Sequence, residues 1–124
     1  MQKLYSPVCF RIHGGRNEKL WCANFIRQQV QEGDLCIDAT MGNGYDTLLL
    51  SQLCGTSGKV YAFDIQKQAL EATQAKLTAE NAPENYTLLL ESHTNMDKYV
   101  GSSSVSCIVF NFGYLPGGDH ALAT

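Results

Sequence analysis

The stretch LCIDATMGNGYDT, Leu35 to Thr47, decides the fold. Leu35 to Ala39 is a short run of bulky apolar residues of the kind buried on both faces of a parallel sheet, and Thr40 to Gly44 is a glycine-containing turn. Asp46 has the character of a helix N-cap, and Leu48 to Leu53 reads as a short helix closing near Gly55. Upstream, Trp21, Phe25, Ile26 and Val30 recur at helical spacing between Glu18 and Glu32, with Gly33 as a left-handed stop. Downstream, Gly58 introduces a strand from Val60 to Asp64, Gln66 to Ala79 is a surface helix with Leu70, Thr73 and Leu77 on one face, and Pro83 ends that region. Tyr86 to Leu90 is a third strand, Asn95 to Val100 a helical turn, and Val105 to Phe112 a fourth strand. Strands joined by helical crossovers predict an α/β fold, a Rossmann-like doubly wound parallel sheet of four strands.

Ligands of such sheets bind beyond the carboxyl ends of the strands, and the unusual polar residues of this chain gather there. Asp38 ends the first of these strands and Gly42-Asn43-Gly44 follows. Glycines let the turn tighten and approach a ligand, and the helix behind them offers free N–H groups. Asp64 ends the next strand, twenty residues beyond Gly44, where a carboxylate can accept both hydroxyls of a ribose. A dinucleotide fingerprint wants Gly or Ala three residues after the second glycine, and Thr47 stands there instead. S-adenosylmethionine has no pyrophosphate and favours an acid near its ammonium group, a role Asp38 can fill. A capping or salt-bridge role for Asp38 and Asp64 is the structural alternative.

The last strand runs into Asn111-Phe112-Gly113-Tyr114, followed by a Pro-Gly-Gly turn. Asn with Tyr three residues on resembles the Asn-Pro-Pro-Tyr signature of methyltransferases acting on exocyclic or terminal amines, with Phe112-Gly113 in place of both prolines. In that signature the amide accepts hydrogens from the amine and the aromatic ring stacks on the substrate. An ordinary strand end with a turn behind it is the alternative.

With 124 residues, 44% of them apolar, the chain matches one domain over 1–124. No run is long and apolar enough for a membrane span, and no signal-peptide pattern appears, so a soluble cytoplasmic protein is expected. The five cysteines are odd in number and none forms a Cys-x-x-Cys pair, which predicts buried, reduced thiols. No cluster has metal-ligand spacing, so no metal is expected, and His13 and His120 receive no role. The net charge of −3 is uneven. Residues 1–27 hold Lys3, Arg11, Arg16, Lys19 and Arg27 against Glu18 alone, while the remainder has four Lys against eleven acids. A basic entry segment over 1–33 therefore precedes an acidic body, either as a solvated helix face or as an arm for phosphates.

Taken in order, DATMGNGYDT, AFDIQ, ESHTNMD and FNFGYLPGGD, which cover about two thirds of the chain, resemble the bacterial and plant methyltransferases long labelled putative rRNA methylases. Characterised members of that family methylate 5-aminomethyl-(2-thio)uridine at the tRNA wobble position. The resemblance implies S-adenosyl-L-methionine as cofactor and tRNA as partner, and in a plant it would extend the compartment to the plastid. It assigns Asn43 and Asp46 to the methionine end, Asp64 and Gln66 to the ribose, Ser92 and His93 to the adenine side, and Asn111 and Tyr114 to the substrate amine. An rRNA or a small-molecule amine is the rival substrate, and an inactive cofactor-binding fragment the rival role. Family members continue past the Gly-Gly-Asp turn, so the domain is expected to be incomplete at its C-terminus. The strand ending at Phe112 is accordingly expected to be an open apolar edge that favours a homodimer or aggregation.

Overall fold

The computed structural model describes residues 8–12, 16–101 and 103–112, with side chains described over 23–101 and 103–110. Its elements are β1 (Val8–Ile12), α1 (Arg16–Gln29), β2 (Leu35–Asp38), α2 (Tyr45–Cys54), β3 (Lys59–Asp64), α3 (Lys67–Ala79), β4 (Tyr86–Leu90), a 3-10 turn (His93–Asn95), α4 (Asp97–Val100) and β5 (Cys107–Phe112). All strands pair in parallel in the order β1-β5-β2-β3-β4.

Side chains alternate across the sheet as the pleat requires. On β3, Val60 faces the layer formed by Ile26 of α1, Val30 just after it, and Leu50 and Cys54 of α2, and Ala62 meets Met41 with Ala69 and Leu70 of α3. Phe63 turns the other way, into a cluster with Ile37, Val100 and Val105, and Tyr61 packs against it. Ile26, Leu50 and Phe63 are wholly buried, each contributing about 1.5–3 kcal/mol. One polar brace ties α2 to the start of β4. The Asn85 amide donates to Ser51 O at 2.9 Å and Gly55 O at 2.7 Å, and its Oδ1 accepts from Ser51 Oγ at 2.7 Å. A buried amide with all these partners fixes one geometry, because any other would strand a polar atom.

Three expectations need correction. The sheet has five strands, since VCFRI forms β1, which the apolar periodicity did not reveal. β1 pairs with β5 from Val8↔Ile108 to Ile12↔Phe112, so the flank expected to be an open edge is occupied and the ground for edge-to-edge association there falls away. Asp46 is not the cap of α2: Gly44 holds that position in the left-handed region at φ 90°, without a side-chain cap, and Asp46 lies buried in the first turn. The three cysteines with described side chains, Cys36, Cys54 and Cys107, are free and buried, as read. Among the described residues no helix is long and apolar enough to cross a membrane, and no group of three His, Cys, Asp or Glu could hold a metal ion.

Candidate functional site

β2 delivers Asp38 to the carboxyl end of the sheet with no solvent exposure. Its Oδ2 accepts from the Thr47 hydroxyl at 2.6 Å and its Oδ1 from Thr40 N–H at 3.3 Å. Burial, then the neighbouring Asp46 carboxylate, pushes the Asp38 carboxyl well above the usual carboxylate range, and the two hydrogen bonds offset only part of this. Asp46, 4% exposed, makes this corner doubly acidic.

Between the two carboxylates the chain turns through Met41 to Gly44. Met41 N–H donates to Phe63 O at 2.9 Å, Gly44 N–H to Met41 O at 2.8 Å, and Thr73 Oγ1 of α3 to Gly42 O at 3.2 Å. Both glycines are required by the backbone, but differently. At Gly44 a Cβ would sit 3.0 Å from the Thr73 Cα, whereas at Gly42, φ 54°, it would meet nothing within 4 Å. The turn is therefore packed behind and open in front.

Asp64, half-buried at the end of β3, accepts from Gln66 N–H at 2.9 Å through Oδ1 and from Gly42 N–H at 3.2 Å through Oδ2. A carboxylate has about four lone-pair positions, so each oxygen retains acceptor capacity beyond these bonds. Gln66 occupies the N-cap position of α3 in an extended conformation, and Asn43 is exposed at the tip of the turn.

Asp38, Gly42, Gly44, Asp46, Asp64 and Gln66 are thus brought together around one turn, with Asn43 at its tip. Ser92 and His93 follow β4, next to Asp64 through the Asp64↔Glu91 bridge. Ser92 Oγ accepts from Thr94 N–H at 3.1 Å and caps the 3-10 turn. The His93 ring stands edge-on to Phe110 of β5, with centroids 5.2 Å apart, which carries it to the strand of Asn111. Asn111 lies in β5 opposite Arg11 of β1. Its side chain, and all of Tyr114, lie outside the described residues.

Three residues were missed as parts of this site. Thr47, read only as the wrong residue for a dinucleotide fingerprint, is the donor to Asp38. Thr73, a fully buried polar residue on an apolar helix face, locks the turn. That placement was the available signal. Phe110, which seats His93, carried none.

The parallel sheet, the glycine turn after β2 and the carboxylate ending β3 define the Rossmann-like fold of class I methyltransferases. Comparison with known proteins narrows this. The family model described as "Putative rRNA methylase" matches residues 60–124. A chloroplastic tRNA (mnm5s2U34)-methyltransferase of Arabidopsis thaliana is 38% identical over 120 residues, covering 89% of this chain and 44% of that protein. The crystal structure of a putative rRNA methylase from Clostridium thermocellum is 44% identical, with a TM-score of 0.79 over 86% of this chain and 56% of its own. That of a putative methyltransferase from Streptococcus mutans, in complex with SAH, is 41% identical, with a TM-score of 0.72 over 86% of this chain and 57% of its own. The chain belongs to the putative rRNA methylase family, and it spans about half the length of these relatives.

Proposed function

We propose that the chain carries the cofactor-binding part of an S-adenosylmethionine-dependent methyltransferase that acts on an RNA nucleoside amine, the aminomethyl group of the tRNA wobble uridine. The observation that carries this reading is the pairing of Asp64 with the glycine turn: its carboxylate is oriented by Gly42 N–H and Gln66 N–H while each oxygen retains acceptor capacity. The residues fit the cofactor. Asp64 would take the ribose hydroxyls, the Asp38–Asp46 corner suits an ammonium group, and the open face of Gly42 leaves room for the ligand's backbone approach. Ser92 and His93 would border the adenine, with Asn43 near the methionine end. When bound, the cofactor supplies an electrophilic methyl group on sulfur.

The chain's own work is positional. Asn111 accepts a hydrogen bond from the neutral amine through its amide oxygen and so aims the lone pair, and Tyr114 stacks on the base. The proton that the amine loses after transfer leaves to solvent, and no covalent nucleophile is needed. Cys107, buried with its thiol pushed up to about 12 by burial and then Cys54, is unsuited to that role. A wobble base lies in a single-stranded loop, where it can splay into such a site, in the cytoplasm or in a plastid.

Mass spectrometry of tRNA nucleosides from cells with and without the gene tests the substrate: loss of the methyl from the aminomethyl uridine is expected, and an unchanged wobble nucleoside would sink the assignment. Asn111→Ala should keep affinity for S-adenosylhomocysteine and fail to restore that methyl. Parallel loss of cofactor binding would remove Asn111 from the substrate side.

A further inference from the structure

The pairing of β1 with β5 sets Arg11 opposite Asn111, on neighbouring parallel strands about 4.8 Å apart. Asp38 pairs with Val109, so Arg11 and Asn111 stand two residues beyond the level of Asp38, at the end of the sheet where the cofactor turn lies. The chain then passes from Ile12 to the start of α1 at Arg16, a step of at most about 14 Å, and Lys19 follows in the first turn of that helix. Three cationic residues are thereby collected at the substrate end of β5 by topology alone.

Beyond Arg27 every Lys has a partner within the chain: Lys59 donates to Thr87 Oγ1 at 2.7 Å, Lys67 lies 3.9 Å from Glu71, Lys76 stands 4.1 Å over the Tyr45 ring, and Lys98 lies 3.1 Å from Glu91. That body of the chain is acidic, with four Lys against eleven acids, and would repel a polyanion. A phosphate-bearing substrate must be attracted where the balance reverses, in residues 1–27 with five cations against one acid.

We propose that Arg11, Arg16 and Lys19 form the phosphate-contacting edge of the substrate site, holding the backbone of a single-stranded RNA loop beside Asn111. This rests on the RNA reading above and gives it a surface. Arginine suits the task because its planar fork can hold a phosphate by two parallel hydrogen bonds.

The test is fluorescence anisotropy of a labelled anticodon stem-loop RNA across a salt series, with the full chain, beside calorimetry with S-adenosylhomocysteine. The Arg11→Ala/Arg16→Ala/Lys19→Ala variant should bind RNA roughly tenfold or more weakly, with a slope of log affinity against log salt shallower by about 2, at unchanged S-adenosylhomocysteine affinity. Arg11→Lys/Arg16→Lys should keep the slope, and Lys67→Ala/Lys98→Ala should leave both slope and affinity as they are. Should the triple variant lose its fold, the Arg16→Ala/Lys19→Ala pair is read instead, with a slope shallower by about 1. RNA binding by the parent with an unaltered slope in the folded variant overturns the phosphate edge alone. A parent that binds S-adenosylhomocysteine but no RNA overturns the RNA reading and this edge with it.

Discussion

On one face of the sheet α1, α2 and α3 lay 14, 10 and 13 residues of helix over Cys36, Val60, Ala62 and Val109. On the other face the described residues supply a three-residue 3-10 turn and the four-residue α4, packed through Met96, Tyr99 and Val100 against Ile37 and Phe63. The first face is held by buried aliphatic contact and by polar locks: Thr47 on Asp38, Thr73 on Gly42 O, Asn85 on the end of α2. The second is held by rings, with Tyr99 5.7 Å from both Tyr61 and Phe63, and by a half-buried network in which Tyr99 donates to Glu91 and the exposed Lys98 pairs with it. The Tyr99 hydroxyl, then Lys98, holds the Glu91 carboxyl below its ordinary range. The difference teaches where precision is required. The glycine turn hangs from the face covered by α1, α2 and α3, so its geometry is set by that core, while among the described residues the segment bearing Ser92 and His93 lies on the face covered by the 3-10 turn and α4.

The contrast is broken most directly by core truncation. Leu50→Ala, at a wholly buried site on the first face, should cost about 2–5 kcal/mol, and Met96→Ala, half-buried on the second face, about 1 kcal/mol. Urea unfolding of the two variants measures both, and equal losses would mean that the faces carry equal weight. Next in size is the turn itself. Gly44→Ala should lose about 2–4 kcal/mol, from left-handed strain together with the close approach of Thr73, whereas Gly42→Ala meets only the strain, about 1–2 kcal/mol. Similar thermal shifts for the two would show that α3 does not press on the turn.

Asp64→Ala sharpens the comparison at the ligand. It should leave the fold standing and weaken S-adenosylhomocysteine at least about tenfold, through loss of a charge-assisted contact of about 1.5–3 kcal/mol. Calorimetry reads the result, and unchanged affinity would remove Asp64 from the ribose.

The smallest expected effect is a slope. The folded Asp38 carboxyl binds its proton more tightly than the unfolded one, so its contribution to stability is full at low pH and declines as pH rises from about 4, the unfolded value, through the raised folded value. Asp38→Asn should flatten that decline, by at most about 1.4 kcal/mol per pH unit, in denaturation curves taken across pH. An ammonium ligand favours ionised Asp38, so cofactor affinity in the parent should rise over the same window. A variant with the parent's pH slope would show that Asp38 is not the group responsible.

Much of this was legible in the residues. Apolar runs bounded by glycine mark β2 and β3, and each ends in the carboxylate that defines the site, because a buried strand tolerates an acid only at its mouth. What was hidden depended on contacts between distant segments. β1 escaped because VCFRI is short, carries Arg11 within it, and becomes a strand through the tertiary neighbour β5 and not through its own pattern. Thr47 and Thr73 are ordinary helix residues until the turn is folded against them. Asp46 looked like a cap because it follows the turn, yet a glycine already in the left-handed region leaves the cap no side chain to supply.

The partnership of Val8 with Ile108 also sets an order of events as the protein is made. It joins residues about a hundred apart in sequence, while β2, β3 and β4 find their neighbours across single helical crossovers. Loops closed over such a span form late, since entropy is lost before contact is gained. During synthesis β1 leaves the ribosome before β2, β3 and β4, and its pairing with β5 is made only after those three strands have been synthesised.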